Sequence, residues 1–147
     1  MERLKTQEEI ESILDDTFYI ISTIRDPEFP QTLGDLNVIQ RENLRFQQVQ
    51  ISSGQKRNEI YLGIIQIIWV PTVPHCHLAS QIGLSIITKL QQELPNYDEY
   101  KIEILVKEGT HQDKHQLDKQ INDKERVCAA QENEHLMQFI QNLISYE

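Results

Sequence analysis

Residues 60–79 read Ile60-Tyr61-Leu62-Gly63-Ile64-Ile65-Gln66-Ile67-Ile68-Trp69-Val70-Pro71-Thr72-Val73-Pro74-His75-Cys76-His77-Leu78-Ala79. Ile60 to Val70 is apolar on both faces over much of its length, the pattern of a strand central in a sheet. Beyond the prolines, Leu78, Ala79, Ile82, Ile86 and Leu90 recur at helical steps, which predicts a helix to about Glu93, stopped before Pro95. A strand therefore turns into a helix around Cys76, a thiol flanked by two imidazoles. The first turn of a helix presents unpaired N–H groups and the positive end of the dipole. Both favour thiolate over thiol.

Working towards the N-terminus, Leu36 to Gln40 and Leu44 to Ile51 read as two short strands, with residues 52–58 as a polar hairpin loop before Ile60. Further back, Thr6-Gln7-Glu8-Glu9 fits a capping box. Ile10, Ile13, Leu14, Phe18, Ile21 and Ile24 continue from it as an amphipathic helix, ended by Asp26-Pro27. Working towards the C-terminus, Tyr100 to Val106 alternates as another strand, and Glu108-Gly109-Thr110 breaks it. Leu117 onward is helical, with a break at Asn133. The order α, β, β, β, α, β, α, α predicts an α+β fold. Its sheet is small and mixed, with about four strands, an N-terminal helix, a crossover helix after the Cys76 loop and C-terminal helices. The Asp-Lys pairs at 113–114, 118–119 and 123–124 read as solvated salt-bridge partners.

The chain has 147 residues, 39% hydrophobic and 25% charged, which suits one globular domain spanning 1–147. Its net charge of −9 and the lack of a basic stripe argue against direct nucleic-acid binding. Residues 1–35 hold nine Asp/Glu against three Lys/Arg, which would suit a basic protein partner. No apolar run is long enough to span a membrane, and none opens the chain as a signal peptide would. Cys76 and Cys128 follow no disulfide framework, which points to a reducing compartment, cytoplasmic or nuclear.

Three chemistries compete at Cys76. His75 and His77 flank it and His111 stands in a turn after a strand. With Cys76 these are the candidate metal ligands, for zinc or for iron contact at the thiol, although no spacing matches a known zinc motif. Alternatively, Cys76 is a nucleophile in a thiol-dependent enzyme with His111 as base. The third reading is a packed thiol that merely precedes a helix, and the metal reading would make the chain a zinc-binding interaction module. Asp26-Pro27-Glu28 reads as a rigid, exposed acidic turn for partner contact. Asp123, Lys124, Glu125 and Arg126 lie in a segment dense in both charges, which suits an ion-paired interface. Cys128 is expected on a packed helix.

Several segments then appear in one order: Ile24-Arg25-Asp26-Pro27-Glu28, Thr32-Leu33-Gly34-Asp35-Leu36-Asn37-Val38, Pro71-Thr72-Val73-Pro74-His75-Cys76, Gly83-Leu84, Glu108-Gly109-Thr110-His111, and Lys119 to Val127 followed by Ala129-Ala130. Together they resemble the eukaryotic adaptors of the cytosolic iron–sulfur assembly targeting complex, whose domain is similar to bacterial SufT proteins. The resemblance covers about residues 8–145. It implies a non-enzymatic adaptor, cytoplasmic and nuclear, that binds a WD-repeat propeller protein and a HEAT-repeat protein. Such complexes deliver iron–sulfur clusters to apo-proteins, including DNA-maintenance enzymes and factors tied to chromosome segregation. It also implies no stable organic cofactor, and a domain-swapped homodimer through the C-terminal helices. The family's reactive cysteine falls on Cys76, supported by a loop with Thr72, Pro74, His75 and His77. Its acidic turn falls on Asp26 and Glu28, and its Gly-Thr-His turn on Gly109, Thr110 and His111. The chain departs from the family at His77, where a small hydroxyl residue is usual, at Cys128, where alanine is usual, and at Gln131, where the family is apolar.

Overall fold

A computed structural model describes residues 4–52, 59–71 and 76–145, with the backbone alone for 50–52, 59–61, 76 and 77. The first helix, α1 (Gln7–Ser22), opens with the expected capping box. Glu9 N–H donates to Thr6 Oγ1 at 3.2 Å and Thr6 N–H donates to Glu9 Oε1 at 3.1 Å, so two otherwise unpaired donors are satisfied. The helix ends at Thr23, earlier than Asp26-Pro27.

Among the described residues the sheet has three strands, not about four: β1 (Leu44–Ser52), β2 (Glu59–Trp69) and β3 (Tyr100–Val106), in that spatial order. β1 runs antiparallel to β2, and β3 runs parallel to it with Gly63 opposite Tyr100 and Trp69 opposite Val106. The strand expected over residues 36–40 is a series of turns. Asn37 is left-handed at φ 58°, and Val38 N–H bonds back to Leu33 O. Val38 and Ile39 are nonetheless 1% exposed each. Their apolar pattern reflects burial under the core, not strand pairing.

Helix α2 (Cys76–Glu93) is the crossover between the parallel strands and the centre of the helical layer. Ile82, Ile86 and Leu90 are fully buried, as are Ile65, Ile67 and Trp69 on the facing side of β2. Gly83 lets α3 approach, since a Cβ there would lie 2.6 Å from Ile121 Cδ1. Lys89, 2% exposed, ties three helices together. Its ammonium donates to Thr23 Oγ1 at the end of α1 and to Ile144 O at the end of α5, where a positive charge suits the dipoles.

The described residues of the C-terminal region form three helices where two were expected: α3 (Lys114–Asn122), α4 (Lys124–Gln131) and α5 (Glu134–Ile144). Asp123 caps α4 by accepting from the N–H groups of Glu125 and Arg126. Asn133 caps α5 by accepting from Leu136 N–H. Gln131 is accommodated by donating from its side-chain amide to Thr88 Oγ1 and Gln91 Oε1 on α2. Asp118 is more than a solvated ion-pair partner: besides Lys114, it accepts from Val106 N–H at 2.7 Å.

Candidate functional site

The parallel pair β2–β3 sends two loops out of the same end of the sheet. Lys107 N–H donates to Trp69 O at 2.8 Å, so pairing continues to where the strands leave. From β2 the chain passes Val70 and Pro71, and α2 begins at Cys76. From β3 it enters the turn bearing Gly109, Thr110 and His111. Gly109 has φ 79°, a conformation that side chains disfavour. Thr110 donates through both its N–H and its hydroxyl to Lys107 O. In sheets with parallel strands, ligand sites form outside the carboxyl ends. Cys76 and His111 both lie at that end.

Cys76 is the first residue of α2, as the sequence implied, and His77 the second. Thr72, Pro74 and His75 lie outside the described residues, as do the side chains of Cys76 and His77. Among the described residues no three His, Cys, Asp or Glu side chains converge as a metal site. His111 Nδ1 accepts from Asp113 N–H at 3.0 Å. Neutral His111 therefore carries its proton on Nε2, a buried atom with no partner among the described residues. In that tautomer Nε2 is a hydrogen-bond donor. Trp69 Nε1, at the end of β2, is a second buried donor without a partner among those residues.

The acidic turn divides into two roles. The expectation that Asp26 is exposed is overturned, because it is 5% exposed. Its Oδ1 accepts from Glu28 N–H at 2.8 Å and Phe29 N–H at 3.1 Å, so the carboxylate organises the turn from within. Pro27 is half-buried, while Glu28 and Phe29 are exposed. Arg25, which sequence reasoning did not single out for a role, docks this turn onto α5. Its N–H donates to Leu143 O at 3.0 Å and its guanidinium to Asn142 O. Asp123 is engaged as a cap, and Lys124, Glu125 and Arg126 are exposed on the first turn of α4. Cys128 is exposed, contrary to the expected packing, because α4 has no buried residue.

No family model matches the chain. Individual proteins do. The MIP18 family protein FAM96A of Dictyostelium discoideum is 43% identical over 141 residues, 88% of this chain and 89% of that protein. The MIP18 family protein galla-1 of Drosophila melanogaster is 40% identical over 135 residues, 91% of this chain and 57% of that longer protein. Cytosolic iron-sulfur assembly component 2B of Mus musculus is 38% identical over 140 residues, 94% of this chain and 77% of that protein.

Proposed function

This chain belongs to the MIP18 family, and we propose that it is an adaptor of the cytosolic iron–sulfur assembly machinery, with Cys76 as its functional thiol. The observation that carries the reading is the likeness, over 94% of the chain, to a protein named for that assembly system. The position of Cys76 supports it: the first residue of α2, at the carboxyl end of a parallel strand. A sulfur there meets the positive end of the helix dipole, which favours the thiolate that iron and exchange chemistry require. In this reading the cluster is cargo and the recipients are apo-proteins of the cytosol and nucleus. The partners are a WD-repeat propeller protein and a HEAT-repeat protein, with Glu28 and the exposed residues 124–126 as contact points.

The rival is a thiol-dependent enzyme with His111 as base. The Asp113 N–H bond to Nδ1 favours the adaptor, because it occupies one ring nitrogen and suits the tautomer in which Nε2 donates, whereas a base needs a free acceptor nitrogen facing the thiol. Zinc is not required by this reading.

Replacing sulfur by oxygen separates the two. Cys76→Ser should capture the partner proteins at the parent level while maturation of client iron–sulfur proteins, read by their cluster absorbance, falls to background. Normal client maturation by the variant would refute the thiol's role. Turnover of a thioester or peptide substrate by the purified parent chain, lost in Cys76→Ser, would replace the adaptor by the enzyme.

A further inference from the structure

β3 is an edge strand whose outward backbone groups are only partly satisfied. In parallel pairing the N–H and C=O of one residue point to the same side, and successive residues alternate. Lys107 N–H bonds to β2, so the odd-numbered residues of β3 face β2 and the even-numbered ones face away. Among the latter, Ile104 has both groups bonded to the Asn122 carboxamide, at 2.9 Å and 2.8 Å. Val106 N–H is bonded to Asp118, and Tyr100 N–H turns back to Tyr97 O. The N–H and C=O of Ile102 and the C=O of Tyr100 have no partner among the described residues.

A groove of about 640 Å³ runs beside these groups. Its lining joins Tyr100 and Ile102 of β3 to Val127 and Cys128 of α4, with Ile87 of α2. Lys124 also lines it, two residues beyond Asn122, and Asp98 lines it two residues before Tyr100. The other two charges in the lining, Lys101 and Glu103, pair with each other at 3.8 Å.

We propose that this groove takes an extended segment of a partner polypeptide, added beside Ile102 as a fourth strand. An outward N–H and C=O on one strand residue, followed by the next outward pair two residues on, are matched by another extended backbone. Asn122 already answers Ile104 as a neighbouring strand's amide would. Because it blocks pairing beyond Ile104, the bound segment pairs through only a few residues. Alternate side chains of that segment meet the apolar lining of Ile87 and Val127. An acidic residue of the segment suits Lys124 and a basic one suits Asp98. The inference does not rest on the iron–sulfur reading.

The test pans a display library of random octapeptides on the full chain and measures the enriched peptides with isotope-labelled protein by NMR. Enriched peptides should alternate in polarity and should slow exchange of the Ile102 amide. Ile102→Pro deletes the outward N–H without touching the ladder to β2, a position where edge strands accept proline. Lys124→Glu reverses one charged end at an exposed site in the first turn of α4, where an acidic residue suits the dipole and the fold is kept. Each should weaken binding by about tenfold, the loss of about 1.4 kcal/mol. The proposal is overturned by a library that yields no binder, by binders indifferent to Lys124→Glu, or by an Ile102 amide already protected in the free chain. Self-association in solution that Ile102→Pro abolishes would instead make a second copy of this chain the occupant.

Discussion

Substitutions at Asp26 and Glu28, two residues apart in one acidic turn, should have opposite consequences. Asp26→Ala removes a buried carboxylate that accepts two backbone N–H groups, at 2.8 Å and 3.1 Å. Hydrogen bonds to a charged group contribute about 1.5–3 kcal/mol each, and these two share one oxygen, so we take roughly 2–4 kcal/mol for the pair. In a domain of this size that lowers the melting temperature by about 5–15 °C. The loss should reach α5, because the turn's Arg25 satisfies the Leu143 and Asn142 carbonyls at that helix's end. Asp26→Asn keeps an acceptor without the charge and should cost about half as much. Glu28→Lys, on the exposed side of the same turn, should change stability by no more than about 0.5 kcal/mol. It should nevertheless weaken capture of the partner complex by placing like charges together. Urea melts followed by Trp69, the single and fully buried tryptophan, give the stabilities, and co-purification gives the binding. An Asp26→Ala chain within about 0.5 kcal/mol of the parent would refute the bracing role. A Glu28→Lys chain that binds normally would remove Glu28 from the interface.

Two further outcomes are specific to the edge of the sheet and its aromatic flank. Asn122→Ala should destabilise by about 1–2 kcal/mol despite the residue's exposure, since two part-buried bonds to Ile104 are lost. Amide exchange should show Ile104 losing protection, and an unchanged Ile104 would mean the carboxamide contributes nothing. The phenols of Tyr97 and Tyr100 are pushed up, chiefly by burial, with Asp98 adding to the first and Glu99 and Glu9 to the second, while Gln91 partly offsets the first. The folded state then holds these protons after the unfolded chain has begun to release them near pH 10. Stability is therefore full below that pH and falls as pH rises through the folded values. Ultraviolet titration should find these two tyrosines ionising after the unfolded-state value, and stability that is flat across this range would refute it.

What the sequence discloses and what it hides follow a physical division. The Thr6–Glu9 box, the passage from strand into helix at Cys76 and the break at Asn133 are local, made by residues within a few positions of each other, and each was legible. Asp26 misled because an acidic residue beside proline reads as surface, while its partners are main-chain N–H groups that leave no mark in composition. Residues 36–40 misled because burial and strand pairing produce the same apolar spacing. The left-handed Asn37 and the local bond from Val38 N–H back to Leu33 O distinguish them.

That the described residues form no fourth strand has a further cause. An edge strand needs cover for its open hydrogen-bonding row. Here α3 supplies it with Asp118 and Asn122, four residues apart and so on one helical face, which answer Val106 and Ile104 two residues apart on β3. Two side chains on a helix thus do locally what a strand would do, and nothing in their spacing distinguishes them from an ordinary polar face. That cover ends at Asn122, because the chain turns at Asp123 to cap α4 and carries α4 past the remaining edge. The break that divides the C-terminal helices is therefore also what leaves Ile102 open to a segment from another polypeptide.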